Sequence, residues 1–271
     1  MKRNKNIFLI AEIGVNHNGD IQLAKKMINA AHSSGADAVK FQTFTADKLV
    51  SHGTEKVDYQ KNSTSPLESH FEMINRLELQ RADHFLLKSY CSEIGIEFLS
   101  TPYDIASCKF LNDELGVCVF KTSSADIVDL PLHRYIASTG KHALVSVGMA
   151  TLGEIEEVVD IYATAGSGNL TLLHCVSNYP CADQSLNMNV MRTLNTAFQV
   201  PVGYSDHSVG IEAAVLSVAF GARVIEKHFT LDKNLPGPDH KASITPDEFR
   251  ALKVSIRRAE NMLGSPVKRC Q

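Results

Sequence analysis

Short apolar runs recur along this chain, and each gives way to a longer stretch that closes on glycine or a polar turn. The first, Ile7-Phe8-Leu9-Ile10-Ala11, is continuous, the pattern of a strand buried on both faces. It breaks into Glu12, Gly14, Asn16, His17, Asn18 and Gly19. Asp20 is placed to cap a helix over 21–34, and Gly35 to stop it. Residues 37–43 are the second strand. The alternation then continues with helices over 81–94, 105–115, 130–139, 152–165 and 189–198, and strands over 97–102, 117–123, 143–148 and 170–175. Two last strands lead through Pro201, Val202 and Gly203 to His207, and through Val224 and Ile225 to Glu226 and His228. One helix, over 209–220, lies between them, and residues 246–263 close the chain as a helix. Glycines 35, 95, 116, 140, 166 and 221 stand at helix stops.

Regular strand–helix alternation predicts a parallel sheet. Eight such units in about 250 residues match the size of a (β/α)8 TIM barrel. A doubly wound open sheet is the alternative. It usually carries a glycine-rich phosphate turn after the first strand, and Gly14-Val15-Asn16-His17-Asn18-Gly19 lacks the dinucleotide spacing. With no linker in view, residues 1–271 read as a single TIM-barrel catalytic domain. The excursion over 45–78, with Ser51-His52-Gly53 and Asn62-Ser63-Thr64-Ser65-Pro66, is long enough to be a lid or binding loop.

In such a barrel the C-terminal ends of the strands line the active site. Those positions are Glu12, then Lys40 and Gln42, then Ser100 and Thr101. Next come Lys121, Ser123 and Asp126, then Ser146, His174, Ser205 with His207, and Glu226 with His228. Two imidazoles on adjacent parallel strand ends form a candidate divalent-metal site, with water and substrate in the open positions. Asp206 and Glu226 stand beside them as candidate partners that orient the rings. A lysine at the end of an apolar strand pairs with an acid, binds an anion or forms a Schiff base. With hydroxyls around them, Lys40, Lys121, Ser123 and Ser146 read as a site for a phosphate or carboxylate.

Composition narrows the partners. The chain is 44% hydrophobic and 21% charged, with net charge −3, so no basic face recommends nucleic acid. No apolar run approaches the roughly 20 residues that span a membrane. The basic Met1-Lys2-Arg3-Asn4-Lys5-Asn6 is followed by an apolar run that Glu12 cuts short, a poor leader. The cysteines (91, 108, 118, 175, 181, 270) have no C-x-x-C spacing and read as reduced thiols of a cytoplasmic protein.

Several segments resemble those of the sialic acid synthases (N-acetylneuraminate, legionaminate and pseudaminate synthases). They are Ala11-Glu12-Ile13-Gly14-Val15-Asn16-His17-Asn18-Gly19, Val39-Lys40-Phe41-Gln42-Thr43, Phe98-Leu99-Ser100-Thr101-Pro102 and Ser146-Val147-Gly148-Met149-Ala150. Leu173-His174-Cys175-Val176-Ser177-Asn178-Tyr179-Pro180, Gly203-Tyr204-Ser205-Asp206-His207, Glu226-Lys227-His228-Phe229-Thr230 and Pro236-Gly237-Pro238-Asp239 complete the set. They span nearly the whole chain in the family's order. The resemblance implies a barrel enzyme that condenses phosphoenolpyruvate with N-acetylmannosamine or a related acetamido sugar, giving a nine-carbon 2-keto acid and phosphate. It implies His207 and His228 as ligands of a divalent metal, manganese, with magnesium or cobalt as alternatives. Lys40, Lys121, Ser123 and Ser146 match the phosphoenolpyruvate-binding set. Glu12, Gln42, Asn178, Tyr179, Ser205 and Asp239 match substrate or catalytic positions, and Thr101 and His174 fall in matching segments. A cytoplasmic homodimer acting on small molecules is the expected setting.

Two departures stand out. Many relatives have glutamate where this chain has Asp126, and its shorter arm needs a shifted backbone or a bridging water to handle a proton. Relatives also continue past the barrel into a small antifreeze-like domain that lends an arginine to the neighbouring protomer's sugar site, whereas this chain stops at Gln271. The match is therefore to the barrel, with the antifreeze-like domain absent. Three other readings compete: a Schiff-base aldolase with Lys121 or Lys40 as nucleophile, a metal-dependent sugar isomerase or hydrolase, and a non-catalytic barrel.

Overall fold

The computed structural model describes residues 6–51, 53–57, 60, 61, 64, 65, 67–166, 168–265 and 267. The basic start Met1–Lys5 and Cys270 lie outside the described residues, as do His52, Asn62, Ser63 and Pro66 of the excursion. Eight strands alternate with helices: β1 (Phe8–Gly14), β2 (Ala38–Thr43), β3 (Glu97–Pro102), β4 (Val119–Thr122), β5 (His142–Ser146), β6 (Leu170–His174), β7 (Val202–Asp206) and β8 (Val224–His228). All ladders are parallel, in the order β3-β2-β1-β8-β7-β6-β5-β4. β3 and β4, at the two ends of that order, touch and close the ring. The architecture is a (β/α)8 barrel.

The helices form where the sequence supplies caps. α1 (Ile21–Ser34) starts on Asp20, whose carboxylate accepts from the N–H groups of Gln22 and Leu23, and stops on Gly35 at φ 86°. α2 (Ala46–Leu49) and α3 (His70–Leu77) belong to the excursion. α4 (Arg81–Ile94) ends on Gly95, and α5 (Ile105–Lys109) runs on into a π turn, Phe110–Glu114. α6 (Leu130–Ser138), α7 (Leu152–Thr164) and α8 (Val190–Phe198) follow. α9 (Glu212–Ser217) continues as a 3-10 turn, Val218–Phe220. α10 (Pro246–Leu263) opens on a Thr245–Glu248 capping box.

Two sequence expectations change. The helix expected over 209–220 begins three residues later, because Gly210 sits at φ 79° and the chain is still in the loop beyond β7. The 45–78 excursion is partly helical. Ser69 and Glu72 form a reciprocal capping box at the start of α3, a signal present in the sequence and passed over there.

The barrel interior is layered by the two-residue period of the strands. Its lower layer is apolar and includes Ile10, Ala38, Leu99, Leu144, Leu173 and Val224. Gly203 completes it on β7; a Cβ there would stand 2.5 Å from Leu173 and from the Val224 carbonyl. The outward faces pack against the helices in the main core, with Leu9, Val39, Phe41, Val145, Leu172 and Ile225 fully buried. A satellite cluster of Val15, Phe44, Met73 and Leu77 seats α3 over the barrel mouth.

Candidate active site

Two residues beyond each apolar layer position, every strand presents a side chain to one cavity of about 300 Å³ at the C-terminal mouth. Ile10 leads to Glu12, Ala38 to Lys40, Leu99 to Thr101 and Val119 to Lys121. Leu144 leads to Ser146, Leu173 to Cys175, Gly203 to Ser205 and Val224 to Glu226. The same period brings Gln42, Ser123, His207 and His228 to the rim above.

The lower ring is a buried charge network. Lys40 Nζ lies 2.8 Å from Glu12 Oε2, donates to Thr101 Oγ1 at 3.0 Å, and is 3.8 Å from Glu226. Lys121 Nζ donates to Ser146 Oγ at 2.7 Å and to the Thr122 carbonyl at 2.9 Å, and lies 3.7 Å from Glu226 Oε1. Ser205 Oγ donates to Glu226 Oε1 at 2.9 Å. Burial works against charge on Lys40, but Glu12 and Glu226 outweigh it and hold its ammonium above the ordinary range. On Lys121 burial wins over Glu226, and its pKa falls. Burial and the Glu226 carboxylate push Glu12 up despite Lys40. Burial acts the same way on Glu226, but Lys121 and Lys40 together hold it below its usual value. One backbone device protects this ring. Gly14, at φ 54°, sits at a register shift between β1 and β2, and a Cβ there would stand 3.0 Å from Glu12 Oε1.

Above this ring, at the rim, stands the histidine pair. The rings of His207 and His228 lie 5.6 Å apart, and the Tyr179 ring stacks at 4.1 Å from His207. His207 Nδ1 is 2.7 Å from the Val176 carbonyl, which fixes the proton there and leaves the Nε2 lone pair facing the cavity, 3.1 Å from the Tyr179 hydroxyl. Burial holds His207 down to about 4 and His228 well below its ordinary value, so both rings are neutral. His228 Nδ1 is buried without a hydrogen-bond partner, and Asp239 Oδ2 lies 3.8 Å from it. Burial, opposed by Lys40, lifts Asp239 to about 6. Among the described residues no three His, Cys, Asp or Glu side chains meet at ligand spacing. The two neutral imidazoles are the donors here that a divalent ion could use, with its remaining positions left to water and substrate.

The structure brings Glu12, Lys40, Gln42, Thr101, Lys121, Ser123, Ser146, Tyr179, Ser205, His207, His228 and Asp239 to this one cavity. It does not bring all of the expected set. His174 follows Leu173 on β6 and so points outward; its Nε2 meets the Leu186 carbonyl at 2.8 Å and its ring packs on Tyr204. Asn178 is exposed on the loop beyond β6 and does not line the cavity. Asp126 lies in a 3-10 turn, Ser124–Val128, behind the lining Ser123, with Oδ2 buried and unpartnered. Burial, reinforced by Asp129, lifts it to about 7. Asp206 faces away from the rings and pairs with Lys227, and Glu226 serves the lysines rather than the imidazoles. Cys175 is a lining residue that the sequence reading had not named, and its two-residue spacing from Leu173 is the signal that finds it. The other side of the cavity is an apolar wall of Val15, Leu49, Met73, Ile74, Leu77 and Tyr103.

Buried lysines and hydroxyls thus meet an imidazole pair at the C-terminal mouth of a parallel barrel, where barrel enzymes carry their active sites. The chain belongs to the NeuB family, whose model matches residues 27–268. It is 50% identical over 266 residues to N,N'-diacetyllegionaminic acid synthase of Legionella pneumophila, covering 97% of this chain and 74% of the relative. It is 38% identical to N-acetylneuraminate-9-phosphate synthase of Mus musculus, covering 96% and 72%. The crystal structure of N-acetylneuraminic acid synthetase from Leptospira borgpetersenii superposes with a TM-score of 0.89 at 34% identity, covering 98% of this chain and 88% of that one.

Proposed function

We propose that this chain condenses phosphoenolpyruvate with an acetamido sugar and water, giving a nine-carbon 2-keto sugar acid and inorganic phosphate. The observation that carries the reading is that one cavity is lined both by the Lys40–Lys121 ring and by the His207–His228 pair at the rim above it. A phosphate dianion entering beside Lys121 meets Ser146 and Ser123, and exchanges a carboxylate neighbour for itself as counter-charge. A divalent metal, which we assign as manganese, would be held by His207 and His228 and would supply a Lewis acid for the sugar's carbonyl.

The remaining chemistry falls to the chain's own groups. The two lysines fix phosphoenolpyruvate so that its enol carbon faces the sugar's aldehyde carbon, and the new C–C bond forms between them. Water adds to the carbon left electron-poor, and phosphate leaves with the bridging oxygen. Glu12, whose raised pKa makes it a proton acceptor near neutrality, takes the proton of that water, and Glu226 steadies the developing positive charge. Gln42, Tyr179 and Asp239 offer hydrogen bonds to the sugar hydroxyls, while the apolar wall receives the methyl of its acylamino group. Asp126 does not line the cavity; its carboxyl is buried behind Ser123, within electrostatic reach of Lys121. On this reading residues 1–271 are one catalytic domain that works in the cytoplasm as a homodimer. Among the described residues no helix is long and apolar enough to cross a membrane.

Phosphoenolpyruvate labelled with 18O at its bridging oxygen tests the scheme. The label is expected in the released phosphate; its recovery in the keto acid would refute water addition at that carbon. A second reading, a Schiff-base aldolase, is favoured by the lowered pKa of Lys121. Borohydride with pyruvate would then leave a mass adduct on Lys121, and the condensation scheme predicts none.

A further inference from the structure

We infer that the buried pair Asp206–Lys227 is a positioning device for the two metal-binding histidines, acting through the backbone rather than by touching either ring; this rests on the two-histidine reading above. Asp206 and Lys227 are directly opposite each other in the β7–β8 ladder. Each immediately precedes one of the histidines, so the alternation of the strands turns the pair to the outer face of the barrel while His207 and His228 turn inward. Both charged side chains are wholly inaccessible, at 0% each. Elsewhere the outer face of the barrel is largely apolar core, so an ion pair here needs a reason other than burial.

The contacts supply that reason. Lys227 Nζ lies 2.7 Å from Asp206 Oδ2 and donates to the Ser208 carbonyl at 2.9 Å. Asp206 Oδ1 accepts from the Ser208 N–H at 2.8 Å and from the Ser208 hydroxyl at 2.7 Å. The residues on both sides of His207 are therefore tied to one ammonium and one carboxylate. From the front, the His207 carbonyl accepts from the Cys181 N–H at 2.8 Å. Across the ladder, the same ammonium anchors the residue before His228, and the His228 carbonyl accepts from the Ile244 N–H at 2.8 Å. The one ion pair thus sets the spacing between two strand ends whose rings must share an ion. A hydrophobic pair would fill the space but would leave the Ser208 N–H and carbonyl free to let the turn around His207 drift.

The test replaces the pair by apolar residues of similar volume, Asp206→Leu with Lys227→Met, a change that buried ion pairs commonly tolerate without loss of fold. Binding of Mn2+ is measured by titration calorimetry, beside the thermal midpoint of the metal-free protein. The expected result is a midpoint near that of the wild type with Mn2+ bound roughly 10- to 100-fold more weakly, the range for lost outer-shell support. A folded double variant that binds Mn2+ as the wild type does overturns the inference. Ser208→Ala keeps both charges and removes one clamp bond, so it guards against a double variant that fails to fold; it is expected to weaken Mn2+ binding severalfold, and unchanged binding overturns the inference equally. His207→Ala separates the two levels. If Mn2+ binding survives that change, the histidine reading itself fails and takes the inference with it.

Discussion

At the scale of single residues, the site depends on how charge is shared among two lysines and two glutamates at the bottom of the mouth. Lys121 is the member without a carboxylate at hydrogen-bond distance, its contacts being Ser146 Oγ and the Thr122 carbonyl. It is thus the group most available to a phosphate. Lys121→Met should raise the KM for phosphoenolpyruvate by about 10- to 100-fold, the worth of one charge-assisted hydrogen bond. The affinity for Mn2+ in calorimetry should not follow it. A comparable loss of Mn2+ binding would mean that the lysine ring and the histidine pair are not separate. Most of these residues were readable as strand ends because an apolar run that turns polar is visible in one dimension. His174 was misassigned for a physical reason. Strands buried on both faces carry no alternation of their own, so the sequence does not show which of two neighbours points inward. A shift by one residue exchanges Cys175 for His174.

At the scale of elements, the helices were the most legible part, because Asp20, Thr151, Thr245 and the glycine stops are local signals. The excursion was not, since its helix α3 packs through Met73 and Leu77 on Val15 and Phe44, far earlier in the chain than α3 itself. α3 meets the cavity through Met73, Ile74 and Leu77, and Met73 is fully buried. Met73→Ala should loosen that helix without disturbing the barrel. The sugar's KM should rise severalfold with that for phosphoenolpyruvate unchanged, and amide exchange should quicken in α3 but not in β1 or β8. Faster exchange throughout would instead show that the satellite cluster supports the barrel as a whole.

At the scale of the molecule, the fold carries an acid sensitivity separate from catalysis. Burial holds His17 and His133 down to about 4, from an ordinary value of 6.5. Between those values the unfolded chain binds more protons than the folded one, so stability is complete above about pH 6.5 and is lost as pH falls towards 4. Each ring adds a slope of up to about 1.4 kcal/mol per pH unit in that window. Burial acts with the opposite sign on the Glu12, Asp126 and Asp239 carboxyls, so the ring is read by comparison: the urea midpoint should fall less from pH 7.5 to pH 5 in His133→Gln than in the wild type, and an equal fall would show that this ring is not held neutral. If one cavity holds phosphoenolpyruvate beside a metal-bound sugar, phosphate release depends on both substrates and on the metal. Purified protein would be given phosphoenolpyruvate with N-acetylmannosamine, its 6-phosphate or a 2,4-diacetamido sugar, with Mn2+ or with EDTA. Phosphate release is expected only when phosphoenolpyruvate, one of these sugars and the metal are all present, with EDTA abolishing it and Mn2+ restoring it. Release from phosphoenolpyruvate without a sugar, or undiminished turnover after EDTA, would contradict the condensation scheme.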